Sequence, residues 1–233
     1  MSDISEEVNR FKHLTIKDGA DGTDSSADRF KWWNVARFGW FTSWGLFSLL
    51  ERGEWVALAQ EAGMKYMYFM PRHHDGFCIW DTKTTDYSST KTKTKAKRDF
   101  MADCVEACRK ADMPVGFFYS VMDWRLPAFW NVPQKDPEGF AKMREYVHEQ
   151  VRELVTNYGK IDLIWWDAKI PHSDEDWKWR ELIARIKSNQ KDIIMNAEDF
   201  DSSEGDVLGS KRPWEASVTI DDIWWGITPV IRI

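Results

Sequence analysis

Short apolar runs alternate with amphipathic segments along this chain. Six apolar runs bounded by turn-forming residues predict strands over residues 38–44, 65–71, 114–120, 161–167, 192–196 and 216–220. Four segments with apolar positions at helical spacing predict helices over residues 54–62, 99–111, 140–158 and 174–188, with Gly159 as the C-terminal cap of the third. The alternation predicts an α/β fold with a mainly parallel sheet that is covered by helices.

Both an α/β barrel and a doubly wound sheet fit this alternation. No G-x-G-x-x-G or G-x-x-x-x-G-K-[ST] motif follows a predicted strand, which removes the usual reason to expect a nucleotide-binding sheet. We therefore expect a TIM-type (β/α) barrel that is incomplete or abbreviated, because only about six strands are recognisable. Residues 1–28 are predicted to form a flexible arm and residues 29–233 a single barrel-like catalytic domain. The arm, or a second copy of the chain in a homo-oligomer, would cover the open barrel edges.

Composition and charge narrow the function. The 15 tryptophans among 233 residues favour a carbohydrate site, because indole faces pack against the C–H edges of sugars. A net charge of −6 argues against a nucleic-acid partner. The sequence has no apolar run of the ~18 residues that a membrane span needs and no apolar signal segment, so we expect a cytoplasmic protein. The three cysteines show no metal-ligand pattern and predict no disulfide, no metal and no cofactor.

Histidines and carboxylates lie next to the predicted strands. His73 and His74 directly follow the second strand, and because neighbouring residues face opposite sides, at least one imidazole must enter a crevice or cross the strand end. A structural pair in a loop fits equally well. Asp167 ends the fourth strand, a position that suits either a carboxylate nucleophile or a helix cap. Glu215, next to Trp214, is a second carboxyl, and two carboxyls are the minimum for glycoside hydrolysis.

Several motifs in the same order resemble those of retaining α-L-fucosidases. Residues 36–48 resemble the opening motif K-F-G-I-F-I-H-W-G-L-Y-S, and Gly53-Glu54-Trp55 resembles G-E-W. Further motifs of this kind lie at residues 58–66, 73–77, 80–83, 97–99 and 118–120. The resemblance covers roughly residues 30 to 226. It implies a barrel-type glycoside hydrolase that acts on fucosylated glycans or small α-L-fucosides and forms a covalent intermediate.

The resemblance also implies roles for single residues. Asp167 in Trp165-Trp166-Asp167 matches the nucleophile, and Glu215 in the segment 214–226 matches the acid/base. Six residues match positions that line the sugar pocket: His73, His74, Glu54, Trp55, Tyr119 and Trp165. Ser43 stands where the family has a sugar-binding histidine, and since a hydroxyl reaches less far, one pocket contact is shortened or lost.

Three hypotheses remain open on these grounds. The first is an α-L-fucosidase-type hydrolase. The second is a weakened or inactive homologue that serves as a sugar-binding or interaction module, which Ser43 favours. The third is a truncated, non-functional product, because the resemblance ends after Gly226 and we expect no C-terminal β-sandwich. Two retained carboxylates speak for the enzyme, since a binding module has no need of costly buried acids.

Overall fold

A computed structural model describes residues 28–42, 53–91, 97–131, 133–167, 172–196, 198–204 and 212–217. The chain divides into two compact units, one formed by Asp28–Met195 and one that includes Asn196–Ile233. The predicted N-terminal arm lies outside the described residues except for Asp28, and Ser43 lies outside them as well. The prediction of a single catalytic domain stays a prediction.

The first unit alternates helices and strands as the sequence pattern predicted. Its strands are β1 (Trp40–Thr42), β2 (Met67–Arg72), β3 (Val115–Ser120), β4 (Leu163–Asp167) and β5 (Ile194–Met195). Its helices are α1 (Asp28–Ala36), α2 (Gly53–Glu61), α3 (Phe100–Lys110), α4 (Pro127–Trp130), α5 (Pro137–Asn157) and α6 (Trp179–Asn189). The sequence pattern did not predict α1 or α4. Gly159 has a φ of 68° just past the end of α5, so the predicted capping glycine is confirmed.

The five strands form one parallel sheet in the order β1-β2-β3-β4-β5. The predicted α/β class with a parallel sheet is thereby confirmed. Neighbours in the sheet are neighbours in the chain, as in a barrel, and the order does not reverse as it does in a doubly wound sheet. Within the described residues the sheet has five strands and no closure between its edges.

Both faces of this sheet are buried, which explains why its strands are nearly continuous apolar runs. One face, here called the outer face, packs against the helices through residues such as Phe69, Phe117 and Trp166. The other, the inner face, carries a cluster of aromatic rings from four strands: Phe41, Tyr68, Phe118 and Trp165. Because side chains alternate along each strand, adjacent residues pack on opposite faces of the sheet, one against the helices and the other in the inner aromatic cluster.

The inner aromatic cluster shows that the sheet is strongly curved. The rings of Phe41 on β1 and Trp165 on β4 have centroids 4.7 Å apart, although β2 and β3 lie between these strands. In a flat sheet, strands three places apart are separated by about 14 Å. Tyr68 and Phe118 lie between them on the inner face. The rings of Phe41 and Trp165 can therefore meet only if the sheet curves around Tyr68 and Phe118. The inner face is concave.

The second unit is described over a short parallel pair, β6 (Asp201–Glu204) and β7 (Trp214–Ser217). Ser202 lies opposite Glu215 in this pair. The Arg212 guanidinium lies 3.2 Å from the carboxylate of Asp201 and joins the start of β7 to the start of β6. Strand β7 corresponds to the predicted strand over 216–220 and begins two residues earlier, while residues 218–220 lie outside the described part.

All three cysteines, Cys78, Cys104 and Cys108, are buried free thiols. Burial raises the pKa of Cys78 and of Cys108 to about 12, so these thiols stay protonated and unreactive at neutral pH. Among the helices of the described residues, none combines the length and the apolar character that a membrane crossing requires.

Candidate active site

A one-residue irregularity in β2 sets the direction of the residues that follow it. Phe69 pairs with Phe117, but Arg72 pairs with Tyr119, so three steps on β2 match two steps on β3. This β-bulge reverses the alternation, and Arg72 points to the outer face, where its guanidinium lies over the rings of Tyr119 and Tyr146. The residues after Arg72 are thereby turned toward the end of the inner face.

His73, His74 and Asp167 meet at the carboxyl end of the sheet. The Oδ2 atom of Asp167 lies 3.6 Å from Nδ1 of His74 and 3.9 Å from Nε2 of His73. The two imidazole rings stack with centroids 3.9 Å apart. Nδ1 of His74 is also 2.6 Å from the hydroxyl oxygen of Ser120, the last residue of β3. The structure therefore brings the two histidines and the carboxylate together.

The burial of these groups decreases from the carboxylate outward. The side chain of Asp167 is 13% exposed, that of His74 is 17% exposed and that of His73 is 46% exposed. A carboxylate at the bottom and two imidazoles on one wall can bind the hydroxyl groups of a small polar molecule that enters from solvent. Ser120 pairs in register with Asp167, and the amide of Val121 donates to the carbonyl oxygen of Asp167, so the carboxylate is carried on rigid backbone.

Electrostatics keep both imidazoles neutral at neutral pH. Burial, the neighbouring His73 and the cation of Arg72 lower the pKa of His74 to about 4. Burial and Arg72 also lower the pKa of His73, against the opposing effect of Asp75. The carboxylate of Asp167 opposes these shifts, because a negative charge favours the imidazolium form. A neutral imidazole offers one donor and one acceptor, which suits it to bind a hydroxyl group.

The turn after the histidines is fixed by its own residues. The carboxylate of Asp75 accepts a hydrogen bond from the amide of Phe77, and Phe77 is buried in the outer core. Gly76 has a φ of 69°, and a Cβ atom there would lie 2.4 Å from Nε of Arg125 and 2.5 Å from Oδ2 of Asp123. Gly76 is therefore required both by its backbone conformation and by this close approach.

A buried ion cluster ties the β2 loop to the β3 loop. Arg125 donates two hydrogen bonds to the carboxylate of Asp123, at 3.1 and 2.7 Å, and Arg72 lies 3.6 Å from the same carboxylate. Nη2 of Arg72 also donates to the carbonyl oxygens of Ser120 and Val121, at 2.6 and 3.2 Å. Arg72 thus fixes the backbone that carries Ser120, the partner of His74.

Two tryptophans next to the imidazoles were not predicted as site residues. The ring of Trp124 lies 5.0 Å from that of His74 and is tilted by 36°, and its amide donates to the carbonyl oxygen of His74. Trp130 donates from its indole nitrogen to the carbonyl oxygen of Trp124. The segment that follows Ser120 was the available signal, because loops after barrel strands build such sites.

Other predicted pocket residues lie on different surfaces. The hydroxyl of Tyr119 donates to Gln150 of α5, on the outer face, because its neighbour Ser120 takes the inner position. Trp165 lies on the same inner face as Asp167, two residues deeper, in the aromatic cluster. Trp55 belongs to α2 and is buried in the outer core. The structure does not bring Tyr119 or Trp55 to the imidazoles.

For Glu54 and Glu215, the structure shows the element that carries the residue but not the predicted contacts. Glu54 lies within α2, and its side chain is outside the described part of the structure. Glu215 lies on β7 in the second unit, is buried with 8% of its surface exposed and follows the partly exposed Trp214. Its predicted acid/base role, like the pocket roles above, stays a prediction.

Several residues in the motifs that resemble those of α-L-fucosidases stabilise the fold. The carboxylate of Glu153 in α5 accepts hydrogen bonds from the indole of Trp80 and the amide of Lys83, at 3.0 and 2.8 Å. Asp99 caps α3 by accepting from the amide of Ala102, and its other oxygen accepts from the hydroxyl of Tyr158. These contacts attach the long connection after β2 to the helical layer.

The three site residues could also hold a cation. His73, His74 and Asp167 each offer one ligand atom, and these atoms lie within 4.8 Å of one another. Imidazole nitrogens and a carboxylate oxygen are a ligand set for zinc. The sequence showed no such spacing because β2 and β4 are distant in the chain. The prediction that the protein uses no metal stays a prediction.

A curved parallel sheet in chain order, with a carboxylate and two histidines at its carboxyl end, defines an α/β protein with a candidate site at the ends of its strands. A profile of the family described as Alpha-L-fucosidase matches residues 50–230. This match covers most of the chain, and the chain belongs to the alpha-L-fucosidase family. The family resemblance seen in the sequence is thereby confirmed.

Known proteins support the same assignment. A putative alpha-L-fucosidase from Caenorhabditis elegans is 22% identical over 93% of this chain and 57% of its own length. The solved alpha-L-fucosidase isoenzyme 1 from Paenibacillus thiaminolyticus is 29% identical over 81% of this chain and 60% of its own, with a TM-score of 0.69. A bacterial fucosidase solved with a monovalent iminocyclitol inhibitor has a TM-score of 0.81 at 22% identity, over 89% of this chain and 63% of its own. The chain thus spans about three fifths of these relatives.

Proposed function

We propose that this chain carries the catalytic portion of a retaining α-L-fucosidase, which releases L-fucose from α-L-fucosides. The observation that carries the proposal is the carboxylate of Asp167 at the end of β4, with its Oδ2 atom 3.6 and 3.9 Å from two imidazoles. Family membership supports the sugar and the reaction type. We also infer that the curved five-stranded sheet is part of a (β/α) barrel.

The proposed reaction takes two displacement steps. In the first, Asp167 attacks the anomeric carbon while Glu215 protonates the leaving oxygen, so that the glycosidic bond breaks and a fucosyl ester forms on Asp167. In the second, Glu215 deprotonates a water molecule, which attacks the same carbon, and fucose leaves with its original configuration.

The imidazole pair supplies sugar recognition in this proposal. His73 and His74 are neutral, and because Nδ1 of His74 is bonded to Ser120, its Nε2 atom can bond one fucose hydroxyl, while His73 offers one donor and one acceptor. Their fixed orientation beside Trp124 and Ser120 means that little is lost in ordering them when the sugar binds. A sugar without the matching hydroxyl would leave these groups unpaired, and that penalty is the source of specificity.

The nucleophile is tested with an aryl α-L-fucoside and purified variants. Asp167→Ala is expected to lose roughly a thousandfold or more of kcat, because no covalent intermediate forms. Added azide should restore turnover and give the β-fucosyl azide, since the small anion attacks the face that the carboxylate occupied. Asp192→Ala is the matched control, because Asp192 is an exposed aspartate at the opposite end of the sheet. Wild-type turnover in Asp167→Ala would overturn the assignment.

The acid/base is tested by varying the leaving group. Glu215→Ala should slow the hydrolysis of sugar-linked fucosides far more than that of nitrophenyl fucosides, because only a poor leaving group needs protonation. Azide should now yield the α-fucosyl azide, since Asp167 still performs the first displacement. Glu175→Ala, which removes an exposed glutamate, is the control. Equal losses on all leaving groups would exclude Glu215 as the acid.

A sugar-binding homologue without turnover is a distinguishable outcome. Such a protein would unfold cooperatively and would be stabilised against heat by fucose, yet would release no aryl alcohol. An iminocyclitol is a suitable second probe, because one of the structural relatives was solved with an inhibitor of that class. If this compound stabilises the protein and no hydrolysis is observed, the binding-module hypothesis replaces the enzyme hypothesis.

A further inference from the structure

Two large apolar side chains are exposed beside the candidate active site. Trp124 is 54% exposed and Trp130 is 62% exposed, whereas most indoles in the described residues are buried. Exposed tryptophans carry a cost in water, since each leaves a wide apolar face unburied. Trp124 lies next to His74, and Trp130 is bonded to the backbone of Trp124, so a ligand that extends from the site can cover them.

The orientation of both rings is fixed by their polar edges. The indole nitrogen of Trp124 lies 2.7 Å from Sδ of Met122, and that of Trp130 donates to the carbonyl oxygen of Trp124 at 3.2 Å. With the N–H groups held by the protein, the flat faces remain for solvent or a ligand. The turn that carries Trp124 is held by the ion pair of Asp123 with Arg125, and Trp130 ends helix α4. The faces are therefore presented by ordered backbone.

The ring of Trp124 continues a row of rings that begins at the proposed catalytic centre. His73, His74 and Trp124 stack in succession, with centroid distances of 3.9 and 5.0 Å and tilts of 33° and 36°. The carboxylate of Asp167 faces the two imidazoles, and Trp124 is more exposed than either of them. A molecule bound at the carboxylate and extending along this row would reach Trp124 next, and Trp130 is bonded to the backbone of Trp124.

We propose that Trp124 and Trp130 form an aromatic platform that binds the pyranose ring to which the fucosyl group is attached. The inference rests on the proposed function, because it places the leaving sugar next to the fucose site. Indole faces suit the C–H face of a hexopyranose, and they bind it without reading individual hydroxyl groups. The platform therefore favours natural glycans, in which the leaving group is a sugar ring, over substrates whose leaving group is not a ring.

The test compares substrates with and without a ring in the leaving group. The full chain is assayed with α-L-fucosyl fluoride and with a panel of disaccharides in which fucose is linked to a hexopyranose. Trp124→Ala and Trp130→Ala should each lower kcat/KM for the disaccharides roughly tenfold more than kcat/KM for the fluoride. Trp124→Phe should recover most of the loss, because it restores an aromatic face.

Controls separate stacking from misfolding. Phe38→Ala removes another half-exposed aromatic ring, at the amino end of the sheet, and should change neither substrate. Thermal unfolding of each variant shows whether the loop change reaches the rest of the protein. An equal loss on the fluoride and on every disaccharide would overturn the platform, since it would point to a displaced His74. A wild-type protein that hydrolyses none of these substrates would overturn the proposed function itself, and the platform with it.

Discussion

The five residues from His73 to Phe77 divide structural and chemical tasks among themselves. The two histidines face the carboxylate, Asp75 closes the turn, and Phe77 anchors it in the outer core. Gly76 allows the turn to pass close to the Asp123–Arg125 pair. Because these contacts depend on one another, a change at the glycine should reach the imidazoles.

Gly76→Ala should destabilise the protein by about 2–4 kcal/mol, from strain at positive φ and from the clash with the ion pair. Gly63→Ala is the matched control, since Gly63 has a φ of 82° with no atom within 4 Å of the added Cβ. Gly63→Ala should lower the free energy of unfolding by about 1 kcal/mol, which is the effect of the positive φ alone. Urea unfolding measures both free energies. Equal losses for the two variants would show that the close approach to Arg125 contributes nothing.

Sequence reasoning identified the site residues that are recognisable one at a time. His73, His74 and Asp167 each end a strand, and that position is visible in the sequence. The contacts of Ser120 and Trp124 with His74 were missed, because they exist only once β2 and β3 are aligned. Tyr119 was assigned to the pocket by the family resemblance, and the sequence does not show that it faces outward, because both faces of a buried parallel strand are apolar.

At the scale of elements, the strands of the five-stranded sheet and the main helices were predictable, whereas their ends and strand β6 were not. Helix α5 was expected to begin at Phe140 but begins at Pro137, after Asp136 accepts a hydrogen bond from the amide of Gly139. Asp-Pro is a recognised start signal, so this boundary could have been found. Strand β5 has two residues where five were expected, because only Ile194 and Met195 pair with β4. The bulge in β2 depends on the register of its partner, and no local pattern predicts it.

At the scale of the whole molecule, family and α/β class followed from the sequence because several motifs occur in order over most of the chain. A curved sheet was expected only as part of the predicted barrel, and the contacts that show it, such as that of Phe41 on β1 with Trp165 on β4, are not visible in the sequence. The response to pH is another property of the folded whole. It depends on histidines whose surroundings come from different elements.

Stability should fall as the pH is lowered from about 6.5 toward 4. The pKa of His74 is about 4 in the folded protein against 6.5 ordinarily, so the unfolded chain binds more protons across this interval. The full shift corresponds to about 3 kcal/mol at most. Burial also lowers the pKa of His148, which adds a loss in the same direction.

Unfolding by urea at about pH 7 and about pH 4.5 measures this loss. His74→Asn keeps a polar group near Ser120 and removes the titration, so its stability should change less with pH than that of the wild type. The remaining change in the variant reports the other groups, including His148. An identical pH dependence in both proteins would show that His74 is not desolvated in the folded state.

The bulge between Phe69 and Arg72 has a consequence for how this site can change over evolutionary time. Substitutions at positions 72 to 74 alter one side chain each. If the same number of residues paired regularly with β3, without the bulge, Arg72 would face inward and the two faces of β2 would be exchanged from this point on. Loss of the bulge preserves the faces only when one residue is deleted with it, so the bulge and the length of this strand must change together, whereas point mutation can alter the proposed sugar pocket in small steps.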